Sequence, residues 1–258
     1  MKITIVTPSF NQGIFIEDTI RSVMHQDHGD VEHIVVDGGS TDNTVEVLKK
    51  YPHLRWVSER DTGQSNAINK GFSMASGEIL AWLNSDDVYE EDVLGAVAGH
   101  FDSHPDCMLL YGDITFVDRS GNRLFEVGGR TMDYASLLEN PDRVRQPSCF
   151  WRRELVSEIG GIDERLHVVL DLDFFLRAGA KFPFDHLAKN LSRFRVYEQG
   201  KSMSLARLQV REIYGVYRKN NIPLTPGLLR ILTSKYVRSF PIGDRIMQYV
   251  RGPVGPAR

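Results

Sequence analysis

The chain has 258 residues, of which 41% are hydrophobic and 25% are charged, a composition typical of a globular protein with one large domain and room for an appendage. Its apolar runs are too short to span a bilayer, and its first residues, interrupted at Pro8, do not resemble a signal peptide. Two cysteines are too few for a disulfide framework, so we expect a cytoplasmic protein in which Cys107 and Cys149 lie in the core.

The net charge of −3 is unevenly distributed along the chain. From Lys201 onward, eleven basic residues face only Glu212 and Asp244, which gives this part +9 and leaves −12 for the first 200 residues. The asymmetry predicts a basic tail that faces an anionic surface such as phospholipid or nucleic acid. A helical face exposed to solvent is the competing interpretation.

Short apolar runs alternate with helical periodicities over the first hundred residues. Strands are predicted at 2–6, 32–37, 54–58 and 77–83. A helix follows each strand, and the fourth helix is predicted to begin near Glu90. This order predicts an α/β fold with a mostly parallel central sheet, flanked by helices and joined by right-handed crossovers.

The pattern changes after Phe101. The predicted strands are 108–111, 113–117, 123–127, 146–151 and 187–197, and the second and third of these form a hairpin. Helices are predicted at 153–159, stopped by Gly160-Gly161, and at 171–179. From residue 204 the chain reads as helical, with breaks at Pro223, Pro226 and Pro241.

Asp86 and Asp87 stand together where the fourth predicted strand ends. Adjacent carboxylates repel each other, and a divalent cation such as Mg²⁺ or Mn²⁺ would offset that repulsion. In an open α/β sheet, ligands bind outside the carboxyl ends of the strands. The competing interpretation is that the pair caps the helix expected near Glu90, since aspartate is a good N-cap. The pair alone leaves both interpretations open.

Other polar groups are expected at the same edge of the sheet. Asp37 is placed either to accept from a pyrimidine N–H or to cap a turn, and Phe10 either to stack on a base or to join the core. Gly63 opens a predicted helix whose N-terminus suits a phosphate. The glycines follow neither dinucleotide-binding nor P-loop spacing, and the histidines lack zinc spacing. Trp82 and Trp151 are expected in the core, and an aromatic wall for the acceptor is the competing interpretation.

Six segments occur in an order that resembles one known family. They are VTPSFNQ at 6–12, VVDGGSTDNT at 35–44, ERDTGQSNAINKG at 59–71, GEILAWLNSDD at 77–87, QPSCFWRRELVSEIGGIDERL at 146–166 and DLDFFLR at 171–177. Together they resemble a family 2 inverting glycosyltransferase of the glycosyltransferase A fold. The resemblance implies a catalytic domain over 1–203, followed by a basic helical extension over 204–258.

The resemblance also implies roles for individual residues. The nucleotide-sugar donor would be bound by Pro8, Ser9, Phe10, Asp37, Asp61, Gln64, Ser85 and Asp86. Asp37 would contact the base, most often uracil, and Asp87 would hold Mn²⁺ or Mg²⁺. Asp171 falls where relatives place the general base. Asp173 is expected to start the helix, although an exchange of their roles stays open.

One position departs from the family pattern. Many relatives carry a histidine where this chain has Tyr197, and a neutral tyrosine is a poor metal ligand. A metal or diphosphate role at that position is therefore left open. Lys201 and Ser202 are placed either to contact the diphosphate or to lie on the surface.

The expected activity is sugar transfer to an acceptor hydroxyl in surface polysaccharide or glycolipid synthesis, on a glycan or lipid-linked acceptor. A sugar nucleotidyltransferase is disfavoured because its glycine-rich phosphate loop is missing, and an inactive binding scaffold because Asp86, Asp87 and Asp171 are intact. The basic amphipathic helices of the tail are expected to contact an anionic membrane, to pack on the catalytic domain or to form a homodimer. Nucleic acid is a disfavoured partner.

Overall fold

The computed structural model describes residues 1–128, 132–143, 145–197 and 205–238, and there nine strands form one sheet flanked by helices. The strands are β1 (Ile3–Ser9), β2 (Val31–Asp37), β3 (Arg55–Ser58), β4 (Ile79–Trp82), β5 (Val88–Tyr89), β6 (Leu109–Val117), β7 (Arg123–Val127), β8 (Cys149–Arg152) and β9 (Phe184–Arg195). The helices are α1 (Ile16–Met24), α2 (Thr44–Leu48), α3 (Gln64–Met74), α4 (Leu94–Ser103), α5 (Tyr134–Glu139), α6 (Arg153–Ile159), α7 (Leu170–Gly179), α8 (Ala206–Lys219) and α9 (Pro226–Arg238).

The first four strands build the parallel part of the sheet, in the order β3-β2-β1-β4. All seven residues of β1 are buried, as expected for a strand with helices on both faces. The register places Ser9 beside Asp37 and Asp37 beside Ser58. The carboxyl ends of these strands therefore meet at one edge, which confirms the parallel arrangement predicted from the strand–helix alternation.

The remaining strands extend the sheet with mixed directions, in the order β4-β8-β6-β9-β5, with β7 paired to β6. β8 runs antiparallel to β4 and β6, whereas β6 and β9 are parallel. The strands predicted at 108–111 and 113–117 are one continuous strand, β6. Residues 146–148 form a 3₁₀ turn rather than the start of a strand, and Pro147 in this turn has no N–H to donate to a ladder.

The helix expected near Glu90 begins at Leu94 instead. Val88 and Tyr89 form β5 by pairing with β9, which takes these residues away from a helix. The start of α4 is capped by Gln26, whose Oε1 accepts from the N–H groups of Val93 (3.0 Å) and Leu94 (3.1 Å). The interpretation of Asp86-Asp87 as a helix cap is therefore wrong.

The core beneath the sheet is rich in aromatic rings. Trp82 and Trp151 are buried with ring centroids 6.0 Å apart, and both contact Phe174 of α7. Their predicted core positions are confirmed. Cys107 and Cys149 are also buried, and burial raises the pKa of both thiols, to about 12 for Cys107.

The two C-terminal helices pack against the same hydrophobic cluster as α7. Their buried hydrophobic residues are Ile213, Val216, Tyr217, Leu228 and Leu232, and Ile222 in the connection between them is buried in the same cluster. Much of the apolar face considered for membrane insertion thus lies in the core. Pro223 lies between the helices, as expected, whereas Pro226 is the first residue of α9, where the missing N–H costs nothing.

The predicted boundary near residue 203 and the break at Pro241 lie outside the described residues. Within the described ranges, no helix is long and apolar enough to cross a membrane.

Candidate active site

The loop that follows β1 places an aromatic ring at the surface. Pro8 and Ser9 are buried at the strand end, and the carbonyl of Ser9 accepts from the N–H of Gly38 (2.8 Å). Phe10 is 60% exposed, so its interpretation as a core residue is wrong. An exposed ring at the carboxyl edge of the sheet is free to stack on a flat ligand.

Asp37 organises the neighbouring loop. It is 0% exposed, and its carboxylate accepts from the N–H groups of Gly39 (3.2 Å) and Ser40 (2.9 Å) and from the hydroxyl of Ser58 (2.6 Å). The Ser40 hydroxyl also donates to Asp37. These contacts match the turn-capping interpretation, and a direct contact with a base stays a prediction.

Asp61, which follows β3, lies against the loop after β2 that Asp37 orders. Its Oδ1 accepts from the N–H of Gly63 (2.8 Å), just before α3 begins. A Cβ at Gly38 would lie 2.9 Å from Asp61 Oδ2, so a side chain at position 38 would displace this carboxylate. The half-buried Asp61 therefore lies against the loop ordered by Asp37.

A relay of side-chain amides connects α3 to the end of β4. Gln64 donates to Asn84 Oδ1 (2.8 Å), and Asn84 Nδ2 donates to Asp87 Oδ2 (3.2 Å) and Gln146 Oε1 (3.1 Å). Gln146 in turn donates to the carbonyl of Trp82 (2.5 Å). Asn84 and Gln146 lie in two of the six family-like segments, 77–87 and 146–166. The sequence predicts no role for them, because only the folded chain brings them together.

The two carboxylates at the end of β4 differ in environment. Asp87 is 1% exposed and Asp86 is half-buried. Asp87 Oδ1 accepts from the N–H of Arg195 (3.0 Å) at the end of β9. Burial, with the charge of Asp86 as a second cause, raises the pKa of Asp87. An oxygen-rich pair with one buried and one half-buried carboxylate fits a divalent cation, which would offset the cost of charging both groups.

Tyr197 reaches the same pair from the end of β9. Its hydroxyl donates to Asp86 Oδ2 (2.8 Å), and its ring packs on Phe15 with centroids 5.2 Å apart. Burial, followed by the charge of Asp86, raises the pKa of Tyr197. Tyr197 is therefore a neutral donor that orients Asp86. Lys201 and Ser202, considered for the diphosphate, lie outside the described residues.

Asp171 and Asp173 are separated by their surroundings. Asp171 is half-buried in the first turn of α7, and its Oδ1 accepts from the N–H of Leu172 (2.8 Å). Asp173 is fully buried and pairs with Arg177 (2.8 Å) and Lys219 (3.2 Å). Because two cations hold the carboxylate of Asp173, Asp171 is the better candidate for a reactive group.

A different cluster lies at the other end of β9. The ligand atoms of His100, Cys107 and Asp185 lie within 4.8 Å of one another. Asp185 is near the start of β9, whereas Arg195 at its end contacts Asp86-Asp87, so this cluster is separate from the candidate site. His100 and the thiol of Cys107 both hydrogen-bond to Asp185.

Comparisons with known proteins agree with this architecture. A sequence profile described as Glycosyl transferase family 2 matches residues 4–160. A PGL/p-HBAD biosynthesis glycosyltransferase of Mycobacterium tuberculosis is 36% identical over 180 residues, which cover 67% of this chain and 68% of the relative. An uncharacterized glycosyltransferase of Nostoc is 32% identical over 223 residues, covering 80% and 68%.

Two solved structures share the fold at low identity. Staphylococcus aureus TarS 1–349 in complex with UDP-GlcNAc has a TM-score of 0.68 and 21% identity, covering 93% of this chain and 71% of TarS. The mannosyltransferase PcManGT of Pyrobaculum calidifontis, in complex with GDP-Man and Mn²⁺, has a TM-score of 0.64 and 18% identity, covering 98% and 76%.

Proposed function

The chain belongs to glycosyl transferase family 2, and we propose that it moves a sugar from a nucleoside diphosphate donor to an acceptor hydroxyl with inversion at the anomeric carbon. The observation that carries this proposal is the Asp86-Asp87 pair, in which a buried carboxylate is held beside a second one at the carboxyl end of β4. A pair of this kind serves no helix cap here. Its chemistry suits a cation and the diphosphate that the cation would hold.

We propose UDP as the preferred nucleotide of the donor. Phe10 supplies an exposed ring for the base, and its two chain neighbours bond to the loop between Asp37 and Ser40: the carbonyl of Ser9 accepts from Gly38, and the N–H of Asn11 donates to the Ser40 hydroxyl. Three of the four hydrogen bonds to the Asp37 carboxylate reach Oδ2 and one reaches Oδ1, so Oδ1 is the atom that we propose to contact the base. The TarS complex with UDP-GlcNAc supports a UDP donor, whereas the PcManGT complex with GDP-Man makes GDP the alternative to test.

Asp87 and Asp86 would hold Mn²⁺ or Mg²⁺, and PcManGT in complex with Mn²⁺ supports a metal in this fold. When bound, the cation neutralises charge on the departing diphosphate. Arg195 keeps Asp87 in place through its backbone N–H, and Tyr197 orients Asp86. These contacts fix the carboxylates before the donor binds, which avoids reorganisation during the reaction.

Asp171 takes the proton of the attacking hydroxyl in this proposal. Its half-buried carboxylate lies in the first turn of α7, where Oδ1 accepts from the N–H of Leu172. The hydroxyl attacks the anomeric carbon from the face opposite the diphosphate, and the C–O bond to the diphosphate breaks. A positioned general base accelerates such a step by about 10²–10⁴-fold.

We propose a glycan or lipid-linked acceptor, reached at an anionic membrane surface. The names of the mycobacterial relatives support an acceptor of this general class. The outward face of α8 carries Arg207, Arg211, Tyr214 and Arg218 at helical spacing, all exposed. Each basic side chain near anionic lipid contributes about 1 kcal/mol. Because most of the apolar side chains of α8 face the core, attachment would be mainly electrostatic and would weaken in salt.

The test measures nucleotide release from UDP- and GDP-sugars with Mn²⁺, with Mg²⁺ and with a chelator, in the presence of glycan and lipid-linked acceptors. Release should require metal and acceptor, and Asp171→Asn should lower it about 10²–10⁴-fold without changing nucleotide affinity in calorimetry. Asp102→Asn, an exposed carboxylate of α4, is the matched control. Near-normal turnover by Asp171→Asn would remove its role, and no response to any nucleotide sugar would overturn the proposal.

A further inference from the structure

A carboxylate from the C-terminal helices binds the backbone just before α7. Glu212 of α8 is 8% exposed, and its two oxygens accept from three consecutive backbone N–H groups. Oε1 accepts from His167 (2.9 Å), and Oε2 accepts from Val168 (2.8 Å) and Val169 (3.2 Å). Val169 is the N-cap of α7, so its N–H is one of the groups that a helix leaves unpaired at its start, whereas His167 and Val168 lie in the segment that leads into the helix. The positive end of the helix dipole favours a negative charge beside this start.

The segment that Glu212 holds also borders the start of α3. Ser65 donates to the carbonyl of Leu166 (2.8 Å), and Asn69 donates to the carbonyl of Ile162 (2.9 Å) while its Oδ1 accepts from the N–H of Ile162 (2.8 Å). A Cβ at Gly63 would lie 3.9 Å from His167 Nδ1. One continuous segment therefore runs from the proposed nucleotide side of the site to Asp171.

A second residue of α8, Lys219, also bonds to this segment. Lys219 donates to Asp163 (2.7 Å) and to Asp173 (3.2 Å). Glu212 and Lys219 are seven residues apart, which places them about two turns apart on α8. The chain between Asp163 and Asp173 is thus fixed near both ends and in its middle, and Asp171 lies within the fixed part.

We propose that Glu212 is a positioning residue for sugar transfer, which acts by holding the start of α7 so that Asp171 faces the acceptor hydroxyl. This inference rests on the proposed role of Asp171. It assigns a function in the reaction to a helix that lies beyond residue 160, where the match to the family profile ends. Misplacing a reacting group by about 1 Å can cost about 10²-fold in rate.

Glu212→Gln tests the inference because it keeps the size of the side chain and leaves one oxygen as acceptor, while its amide N–H₂ faces a backbone donor. We expect kcat to fall about 10–100-fold, with the donor KM and the UDP affinity within about twofold of wild type. Glu212→Asp keeps the charge on a shorter side chain and should lose less. Glu46→Gln, an exposed glutamate of α2, is the matched control.

A double-mutant cycle separates positioning from a general loss of stability. If Glu212 acts through Asp171, then Glu212→Gln should have little further effect on kcat in the Asp171→Asn background, because coupled groups are not additive. A full, additive loss in that background would overturn the inference, as would wild-type kcat in a folded Glu212→Gln protein. If Glu212→Gln does not fold, the same cycle with Glu212→Asp decides. Wild-type protein without any transfer activity would instead overturn the proposed function.

Discussion

Replacing Asp87 with asparagine should stabilise the metal-free protein while removing its metal-dependent affinity for nucleotide. Asp87 is almost fully buried, and burial together with the charge of Asp86 raises its pKa, which means that the folded protein disfavours the ionised form. Asparagine has nearly the same shape and no charge. Its oxygen can still accept from the N–H of Arg195, but its amide N–H₂ would face Asn84 Nδ2, so that hydrogen bond is lost.

The size of the effect follows from these two contributions. Folding raises the pKa of Asp87, and each unit of that rise costs the folded protein about 1.4 kcal/mol at a pH above the raised value; asparagine removes this cost. The lost hydrogen bond costs about 1 kcal/mol. A net gain of about 1 kcal/mol corresponds to a rise in Tm of about 2–4 °C for a chain of this size. Mutating a residue that only supports a metal ligand typically lowers metal affinity by about 10–100-fold. Loss of Asp87, a direct ligand, should weaken UDP binding in Mn²⁺ by more than this.

The assay pairs thermal denaturation at pH 8 in chelator with calorimetric titration of UDP in Mn²⁺. Asp86→Asn is the comparison variant, because Asp86 is half-buried and bonded to Tyr197, so the stability gain should be smaller. A lower Tm for Asp87→Asn than for wild type would refute the reasoning about charge burial. Unchanged UDP affinity in Mn²⁺ would refute the assignment of Asp87 to the metal.

Three further outcomes are expected. Phe10→Ala should weaken UDP binding by about 1–3 kcal/mol in calorimetry with little change in Tm, because the ring is exposed; unaltered affinity would place the base elsewhere. The protein should co-sediment with anionic vesicles at low salt and be released at high salt, and Arg211→Gln with Arg218→Gln should weaken this; retention by the double variant would contradict the α8 surface. Burial, with the charge of His53 as a second cause, lowers the pKa of His33 to about 3. As the pH falls below about 6.5, the unfolded chain binds this proton and the folded chain does not, so His33 should lower the free energy of unfolding by about 1.4 kcal/mol per pH unit down to about pH 3. His33→Leu should make the free energy of unfolding, measured by urea denaturation, depend less steeply on pH over this range.

The parallel half of the sheet could be predicted because each of its buried strands reads as an apolar run followed by polar residues. The continuous burial of β1 and the Asp86-Asp87 pair after β4 are local features of the sequence. The same local signals failed at Glu90, since β5 forms only by pairing with β9, about a hundred residues later. No periodicity within residues 88–93 carries that information.

The candidate site was foreseen in its carboxylates but not in the contacts that hold them. Asn84 bonds to Gln146, which lies 62 positions later in the chain. Glu212 bonds to the N–H groups of His167 and Val168, which lie 45 and 44 positions earlier. Phe10 and Tyr197 each had two open interpretations in the sequence. The exposure of the Phe10 ring decides between the two interpretations of Phe10. The hydrogen bond to Asp86 decides between those of Tyr197.

The cap on α7 also bears on how the protein is made. In the part of the chain that the structure describes, every strand of the sheet precedes α8, so the strand segments are synthesised before Glu212 and the buried residues of α8 and α9. Until then the N–H groups of residues 167–169 lack the carboxylate of Glu212, and the apolar surface that α8 and α9 cover is exposed, which is the kind of species that chaperones bind. The last step of folding and the assembly of the Asp171 side of the site would therefore be a single event, which follows synthesis of the two C-terminal helices.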